Sequence, residues 1–227
     1  MLGPMATNRS YNDMCGLAHA LDLIGERWAL LIVRELVLGP RRYTDLRAEL
    51  PGISSNVLAH RLEELATSGI LTRRTLPPPA GSAVYELTAW GAELDPILTR
   101  LGRWGARSPG HPNGDHLSAG SLIMSLRTNF DPLAATDTQV HLWLRMRGEL
   151  FQVLVAGGEL TAERVTPDEG ADPEATVAAD PLTLAGLLYG EAKLSEEIDT
   201  GALRVHGDVQ ALHRMLPLFP LPETAAV

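Results

Sequence analysis

The chain has 227 residues and a formal net charge of −9, with 45% hydrophobic and 21% charged residues. This length allows two domains, each able to bury its own core. No apolar stretch approaches the roughly 20 residues of a membrane helix, and the N-terminus lacks the pattern of a signal peptide, so we expect no membrane partner. A single cysteine excludes an internal disulfide and favours a cytoplasmic protein.

The charge is unevenly distributed. Residues 1–110 contain 12 Arg against 11 Asp and Glu, a balance of +1, whereas residues 111–227 contain 7 Arg and Lys against 17 Asp and Glu, a balance of −10. An acidic second half would be repelled by nucleic acid and would orient the first half toward it. An acidic surface that only keeps the protein soluble would give the same asymmetry.

The first predicted elements are a disordered tail over residues 1–10 and two helices. Apolar residues recur at helical spacing at Leu17, Leu21 and Ile24, and again from Trp28 to Leu36. Gly25 separates the two patterns, and Gly39-Pro40 ends the second.

The next segment has the pattern of two helices joined by a turn. Thr44 can cap a short helix that ends at Pro51-Gly52, and Ser54 can cap a longer helix that ends at Gly69. The longer helix has a small, polar outer face, which would let its backbone approach a major groove closely. An ordinary solvated helix face has the same pattern. The candidate DNA-contacting residues here are Arg41, Arg42, Ser54, Ser55, Asn56, His60 and Arg61.

A hairpin is predicted directly after these helices. Residues 70–76 and 83–87 form its strands, and residues 77–82 form a rigid, proline-rich connection. Arg73 and Arg74 lie at its base, where they suit phosphate contact or minor-groove insertion. The uncharged tip argues against deep insertion of the tip itself. A hairpin in this place is the wing of a winged helix-turn-helix.

A last helix of the first half follows Thr88, which can cap it. Its apolar residues at helical spacing are Trp90, Leu94, Ile97, Leu98, Leu101 and Trp104. The domain offers no obvious partner for this face, so we predict that it forms a dimer interface together with the helix over residues 17–24. Packing against the second half of the chain is the alternative.

Residues from about Cys15 to Glu93 resemble the HxlR-type winged helix-turn-helix family, relatives of the MarR regulators. The matching pieces include Trp28, Leu31–Leu36, Arg42-Tyr43, Gly52-Ile53-Ser54, Arg61-Leu62, Gly69 and Tyr85-Glu-Leu-Thr-x-x-Gly91. The resemblance implies a homodimeric repressor or activator that reads a near-palindromic operator in double-stranded DNA. It also implies that the helix after Ser54 enters the major groove and that the wing arginines touch the backbone.

The sequence departs from this family at two places. Gly16 stands where a proline commonly follows the cysteine, and Gly25-Glu26-Arg27-Trp28 replaces the more usual Gly-Gly/Asp-Lys-Trp. Some members sense oxidants or electrophiles through a cysteine near Cys15, and a sensor thiol needs a depressed pKa and access to solvent. The other interpretation of Cys15 is a buried small hydrophobe.

Residues 108–115 are a Pro/Gly/Asn run and are predicted to be a linker between domains over residues 11–107 and 116–222. The second domain shows a helix over 116–130 and five strands over 138–146, 150–156, 160–165, 175–178 and 203–206. Asp180 and Asp208 can each cap a further helix. The pattern predicts an α+β domain with an antiparallel five-stranded sheet and segregated helices.

Residues 118–221, approximately, resemble sterol-carrier-protein-like domains. Three segments carry the resemblance: Ala179–Leu184, Gly201–Asp208 and Ala211–Phe219. That resemblance implies an apolar cavity between sheet and helices for a hydrophobic molecule. Its candidate lining is Leu126, Trp143, Phe151, Leu188, Tyr189, Met215 and Phe219, although each residue could equally be core. Trp143 lies on the opposite strand face from its apolar neighbours, so it points to a different pocket or to an interface.

No motif indicates catalysis, and we expect no enzyme activity, cofactor or metal site. The sequence therefore predicts a dimeric transcription regulator, most simply a repressor, whose second domain binds a hydrophobic small-molecule effector. One alternative is that the second domain is only a dimerisation or partner module and that Cys15 redox chemistry regulates the protein. Another is a carrier of hydrophobic ligands.

Overall fold

The structure is a computed structural model that describes residues 10–77, 81–110, 114–166 and 171–226. The predicted tail over residues 1–10, except its last residue, and the wing tip at 78–80 lie outside the described residues. Contacts along the chain define two compact units, the first ending at Asp95 and the second beginning at Pro96. This division falls within a helix, upstream of the predicted linker at 108–115.

The first unit consists of helices followed by a hairpin. Its elements are α1 (Gly16–Ile24), α2 (Ala29–Val37), α3 (Tyr43–Glu49), α4 (Ser55–Thr67), β1 (Leu71–Thr75), β2 (Ala83–Leu87) and α5 (Ala89–Ala92). The two strands are antiparallel, with Leu71 opposite Leu87. Side chains at helical spacing on α2 and α4 form the core between these elements, among them Ile32, Leu36, Leu58 and Leu62. The arrangement confirms the predicted winged helix-turn-helix.

Two of the three predicted helix caps in this unit are confirmed. The Ser54 hydroxyl accepts a hydrogen bond from the Val57 N–H at 3.3 Å, and the Thr88 hydroxyl accepts one from the Gly91 N–H at 3.0 Å. Thr44 is not a cap, because α3 begins at Tyr43. There the Asp45 carboxylate accepts from the Arg42 N–H at 3.3 Å and stabilises the earlier start.

The predicted single helix after Thr88 is two helices. α5 ends at Ala92, and α6 runs from Leu94 to Ala106. Pro96 has no N–H to donate to the Ala92 carbonyl, so a continuous helix would lose a hydrogen bond at this point.

The second unit is an α+β domain that begins within α6. Its further elements are α7 (Ala119–Asn129), β3 (Val140–Met146), β4 (Glu149–Ala156), β5 (Glu159–Arg164), β6 (Ala175–Ala179), α8 (Pro181–Tyr189), α9 (Leu194–Asp199), β7 (Leu203–Gly207) and α10 (Val209–Met215). The strands form one sheet in the order β5-β4-β3-β6-β7. Asp180 caps α8 and Asp208 caps α10, as predicted.

The predicted antiparallel sheet is wrong at one pair of strands. β6 runs parallel to β3, with Leu142 opposite Ala175, whereas the other neighbouring strands are antiparallel. β4 and β5 separate β3 from β6 in the chain, so no tight turn joins the two strands and forces them to be antiparallel. Side-chain alternation shows which face of a strand is buried but not the direction of its neighbour, so the pattern did not reveal this.

The core of the second unit lies on one face of the sheet. Alternate β3 residues from Val140 to Met146 are buried, as their spacing predicts, and α10 packs against this strand. Within the described residues, no helix is both long and apolar enough to cross a membrane.

Candidate nucleic-acid interface

Helix α4 presents a polar face to solvent above a fully buried apolar stripe. Leu58, Leu62 and Leu65 are buried, while Asn56 and His60 lie one turn apart on the exposed side. The Ser54 cap starts the helix, and α3 is fastened to it where the Tyr43 hydroxyl donates to the Ser55 carbonyl at 2.8 Å. The first turn of α4 therefore exposes small side chains, the polar Asn56 and the apolar Val57 among them, which allows close approach to a major groove.

Arg61 was predicted to contact DNA, but the structure places its guanidinium within the domain. Only 13% of its side chain is exposed, and its Nη2 lies 2.7 Å from a Glu26 carboxylate oxygen. Its Nη1 bonds the Glu64 carboxylate, which is three residues further along α4. A guanidinium held by two carboxylates is poorly placed to reach a phosphate at the same time.

Of the neighbouring residues Arg41 and Arg42, the structure likewise holds the first inside the domain and leaves the second exposed. The Arg41 side chain is 4% exposed, and its guanidinium lies 3.6 Å from the buried Glu35 carboxylate. Its backbone exchanges hydrogen bonds of 2.9 and 2.7 Å with Tyr85 of β2, so Arg41 joins the start of the helix-turn-helix to the wing. Arg42 is exposed, and its Nε donates to the Ser82 hydroxyl at 3.0 Å.

The wing arginines are both exposed on β1. The Arg74 Nε lies 2.7 Å from a Glu86 carboxylate oxygen on β2, and the Arg73 guanidinium lies 6.0 Å from the centre of the Tyr85 ring. These contacts extend the two side chains along the hairpin at the surface. Arg74 would have to share or release Glu86 before it could bind a phosphate.

Cys15 is exposed at the N-cap position of α1, so it is not a buried hydrophobe within a single copy of the chain. The Ala18 N–H, and secondarily the Leu17 N–H, can hydrogen-bond the thiolate, which lowers the pKa of Cys15 below its ordinary value. The Cys15 N–H itself donates to the Asp13 carboxylate at 2.9 Å. Exposure and a lowered pKa are the two properties that a reactive thiol requires.

Four residues predicted to line a cavity are packed core side chains. Leu126, Phe151, Met215 and Phe219 are all buried, and the Phe219 ring lies 5.8 Å from that of Phe130. A cleft of about 400 Å³ in this unit is lined by other residues: Arg127, Phe130, Pro132, Gly158, Glu159 and Leu160.

The remaining three predicted lining residues are half-buried. Leu188 and Tyr189 lie on α8, and the Tyr189 hydroxyl accepts from the Ser125 hydroxyl at 2.8 Å. Burial raises the pKa of Tyr189, and its hydrogen bonds to Ser125 and Asn129 oppose that rise. Asn129 is 3% exposed, and its Oδ1 has no hydrogen-bond partner among the described residues. Trp143 lies on the opposite sheet face, with its indole N–H buried and likewise without a partner among those residues.

Sequence reasoning missed the charged partners of α4. The spacing of Glu64 to His60 and Arg61 is that of neighbours on a helix and would have predicted both contacts. The Glu26–Arg61 pair joins residues 35 positions apart, and no local pattern indicates it. In the described part of the chain, no group of three or more His, Cys, Asp or Glu could hold a metal ion.

The model of the HxlR-like helix-turn-helix family matches residues 23–111. The chain is 38% identical over 93 residues to the HTH-type transcriptional regulator sll1512 of Synechocystis sp., covering 41% of this chain and 69% of the relative. It is 35% identical over 94 residues to the HTH-type transcriptional regulator YodB of Bacillus subtilis, covering 41% and 84%. A solved structure of the redox regulator HypR in its oxidized form is 30% identical, covers 40% of this chain and 94% of that chain, and has a TM-score of 0.38.

Proposed function

The chain belongs to the HxlR-like helix-turn-helix family of transcriptional regulators, and from this we propose that it acts as a dimer that reads an operator through α4 and the wing. The observation that carries the proposal is the exposed pair Asn56 and His60 on α4, above a buried apolar stripe and behind the Ser54 cap. Asn and His side chains can hydrogen-bond base edges, and the exposed Arg42, Arg73 and Arg74 supply phosphate contacts.

The test begins with a duplex that the wild-type chain selects from a random-sequence library. Asn56→Ala and His60→Ala should each weaken binding to this duplex by about 5- to 100-fold and relax its sequence preference. Thr67→Ala is the matched control, because Thr67 is exposed at the far end of the same helix. If both variants bind the selected and scrambled duplexes as Thr67→Ala does, α4 is not the reader.

Cys15 is the candidate regulatory group of this proposal. Its thiol is exposed, and its pKa is lowered, so a larger fraction is thiolate at neutral pH than for an ordinary cysteine. A disulfide would have to join two chains or capture a small thiol, because the chain has one cysteine. Mild oxidant should change both the mass of the Cys15 peptide and operator affinity. A Cys15→Ser variant that loses affinity to the same extent under oxidant would remove Cys15 from regulation.

The second unit is proposed to be a sterol-carrier-protein-like domain for a hydrophobic effector. Helix α8 is apolar on all sides, yet Leu187, Leu188 and Tyr189 stay half-buried, which supports an apolar ligand beside it. The unpartnered Asn129 Oδ1 near Tyr189 would accept a hydrogen bond from a hydroxyl on that ligand. The effector would act by favouring one spacing of the recognition helices over another.

Native mass spectrometry of the freshly purified full chain tests this domain assignment. We expect a mass increment from a retained ligand, or one after addition of a long-chain alcohol such as hexadecanol. A chain that retains nothing and takes up neither alcohols nor fatty acids would leave the second unit as a dimerisation or partner module. Ligand uptake with unchanged operator affinity would instead indicate a carrier.

A further inference from the structure

The turn between α1 and α2 reaches two parts of the helix-turn-helix. The Trp28 ring lies against the loop between α3 and α4, where a Cβ at Gly52 would be 3.7 Å from its Cη2. Glu26, in the same turn, binds Arg61 in the middle of α4 at 2.7 Å. Trp28 has a φ of +80°, a left-handed conformation that is unusual for a bulky side chain and that neighbouring contacts must maintain.

The contact at Arg61 continues along α4 to its exposed face. Arg61 also bonds Glu64, and the other Glu64 oxygen lies 3.2 Å from the His60 Nε2. Arg61 is nearly buried, whereas 63% of the His60 side chain is exposed. The four side chains thus form a continuous series from the α1–α2 turn to a residue on the candidate DNA-reading surface.

We propose that Glu26 is a positioning residue for DNA recognition and that it acts through Arg61 and Glu64 on the placement of α4 and His60. The guanidinium is a rigid fork, so a carboxylate at each side fixes its plane and, with it, the Glu64 carboxylate that contacts His60. The proposal rests on the proposed function only in taking α4 as the reader of DNA.

A positioning role and simple electrostatics predict different effects of removing Glu26 on sequence discrimination. Glu26 is a negative charge near the proposed DNA surface, and its removal by itself would strengthen binding to every DNA sequence equally. Loss of positioning instead weakens only contacts that depend on the orientation of His60 and its neighbours. The informative quantity is therefore the ratio of affinities for the selected and scrambled duplexes.

The experiment measures this ratio for the full-length wild-type chain, Glu26→Gln and Glu63→Gln. Glu63 is exposed on α4 and makes no salt bridge or side-chain hydrogen bond with the described residues. Glu63→Gln therefore makes the same charge change as Glu26→Gln without breaking the series of contacts from Glu26 to His60. We expect Glu26→Gln to lower the ratio by about fivefold and Glu63→Gln to leave it within about twofold. In an Arg61→Ala background, Glu26→Gln should lower the ratio no further, because its effect passes through Arg61.

Equal ratios for Glu26→Gln and Glu63→Gln would overturn the proposal, and so would a further loss when Glu26→Gln is added to a folded Arg61→Ala variant. Circular dichroism of each variant reports whether it is folded, so a low ratio from unfolding is recognised. If the wild-type chain selects no sequence, the proposed function itself has failed. If it selects one and Asn56→Ala lowers the ratio while Glu26→Gln does not, only this inference has failed.

Discussion

Cys15 occupies the N-cap position of α1, next to the first backbone N–H groups of the helix, which have no intrahelical acceptor. The N–H groups of Ala18 and Leu17 stabilise the thiolate there and lower the pKa of the thiol. The surrounding Met14 and Leu17 side chains are exposed as well. The sequence could not distinguish a buried from an exposed cysteine here, because an apolar helical face is compatible with both a core and an uncovered surface.

The lowered pKa of Cys15 predicts a particular pH dependence of its reactivity. Only the thiolate reacts with iodoacetamide, so the midpoint of the rate–pH profile should lie below that of a cysteine in a short unstructured peptide measured in parallel. Mass spectrometry of the modified chain gives the rate, and Cys15→Ser gives the background. A midpoint at or above that of the peptide would contradict the assignment of the helix N-terminus as the cause.

Gly91 is a second position where the identity of a single residue matters, here for the stability of the first unit. A Cβ at this glycine would lie 1.9 Å from the Ile70 carbonyl oxygen and 2.9 Å from its carbon, which are backbone atoms that cannot move aside as a flexible side chain could. Gly91→Ala should therefore destabilise the first unit by about 3 kcal/mol or more, measured by urea unfolding. Gly105→Ala is the control, because a Cβ at that helical glycine would meet no atom of the described residues within 4 Å. It should be neutral or stabilising by about 0.5–1 kcal/mol, and equal losses at both sites would refute the steric account.

At the scale of elements, the wing is expected to hold phosphates rather than read bases. Arg73 and Arg74 are exposed on β1, although Arg74 must share or release Glu86 to bind a phosphate. Arg73→Ala with Arg74→Ala should weaken binding to all duplexes and flatten the slope of log K against log salt by about 2. Arg204→Ala, an exposed arginine of β7, should leave the slope unchanged. An unchanged slope in the wing variant would exclude these two residues from the phosphate contacts.

One side of helix α6 contacts the rest of the second unit, and the other side is apolar and exposed. Arg103 donates to the Thr128 carbonyl at 3.1 Å, while Ile97, Leu101 and Trp104 are exposed on the other side. An apolar stripe of this kind is expected to be covered by the second copy of the chain. Leu101→Asp should therefore shift the protein toward monomer in sedimentation. Leu133→Asp, the same change at an exposed leucine outside the stripe, should leave the dimer intact; a dimer that survives Leu101→Asp would exclude this face.

The features that the sequence predicted correctly depend on neighbouring residues. The Ser54, Thr88, Asp180 and Asp208 caps and the alternation along β3 follow from local spacing. The parallel pairing of β6 with β3 joins distant segments, so it could not be predicted in this way.

In the candidate DNA-binding site, too, the features set by local spacing were predicted and those set by contacts between distant residues were not. Asn56 and His60 are placed on the exposed face by helical spacing alone. Arg61 and Arg41 have the sequence pattern of DNA contacts, but the Glu26 and Glu35 carboxylates, which no local spacing pattern links to them, hold them inside the domain. An arginine pattern reports charge, and only the fold shows which arginines remain available to a phosphate.

For the whole molecule, the charge distribution and the fold both favour the first half of the chain as the part that approaches DNA. The winged helix-turn-helix lies within the half of the chain whose charge is nearly balanced, and the strongly acidic sheet unit follows it. An acidic partner domain disfavours non-specific contact with DNA outside the reading surface. We therefore expect specific binding to depend on α4 and the wing, with little contribution from the second unit.

The most direct test is hydroxyl-radical footprinting of the full wild-type chain on the duplex that it selects. A dimer with two α4 helices in successive major grooves predicts two symmetric protected half-sites about 34–36 Å apart, one helical turn. Asn56→Ala should lose both half-sites together. A single protected half-site, an asymmetric pattern, or protection that does not depend on Asn56 would contradict a dimer that reads DNA through α4.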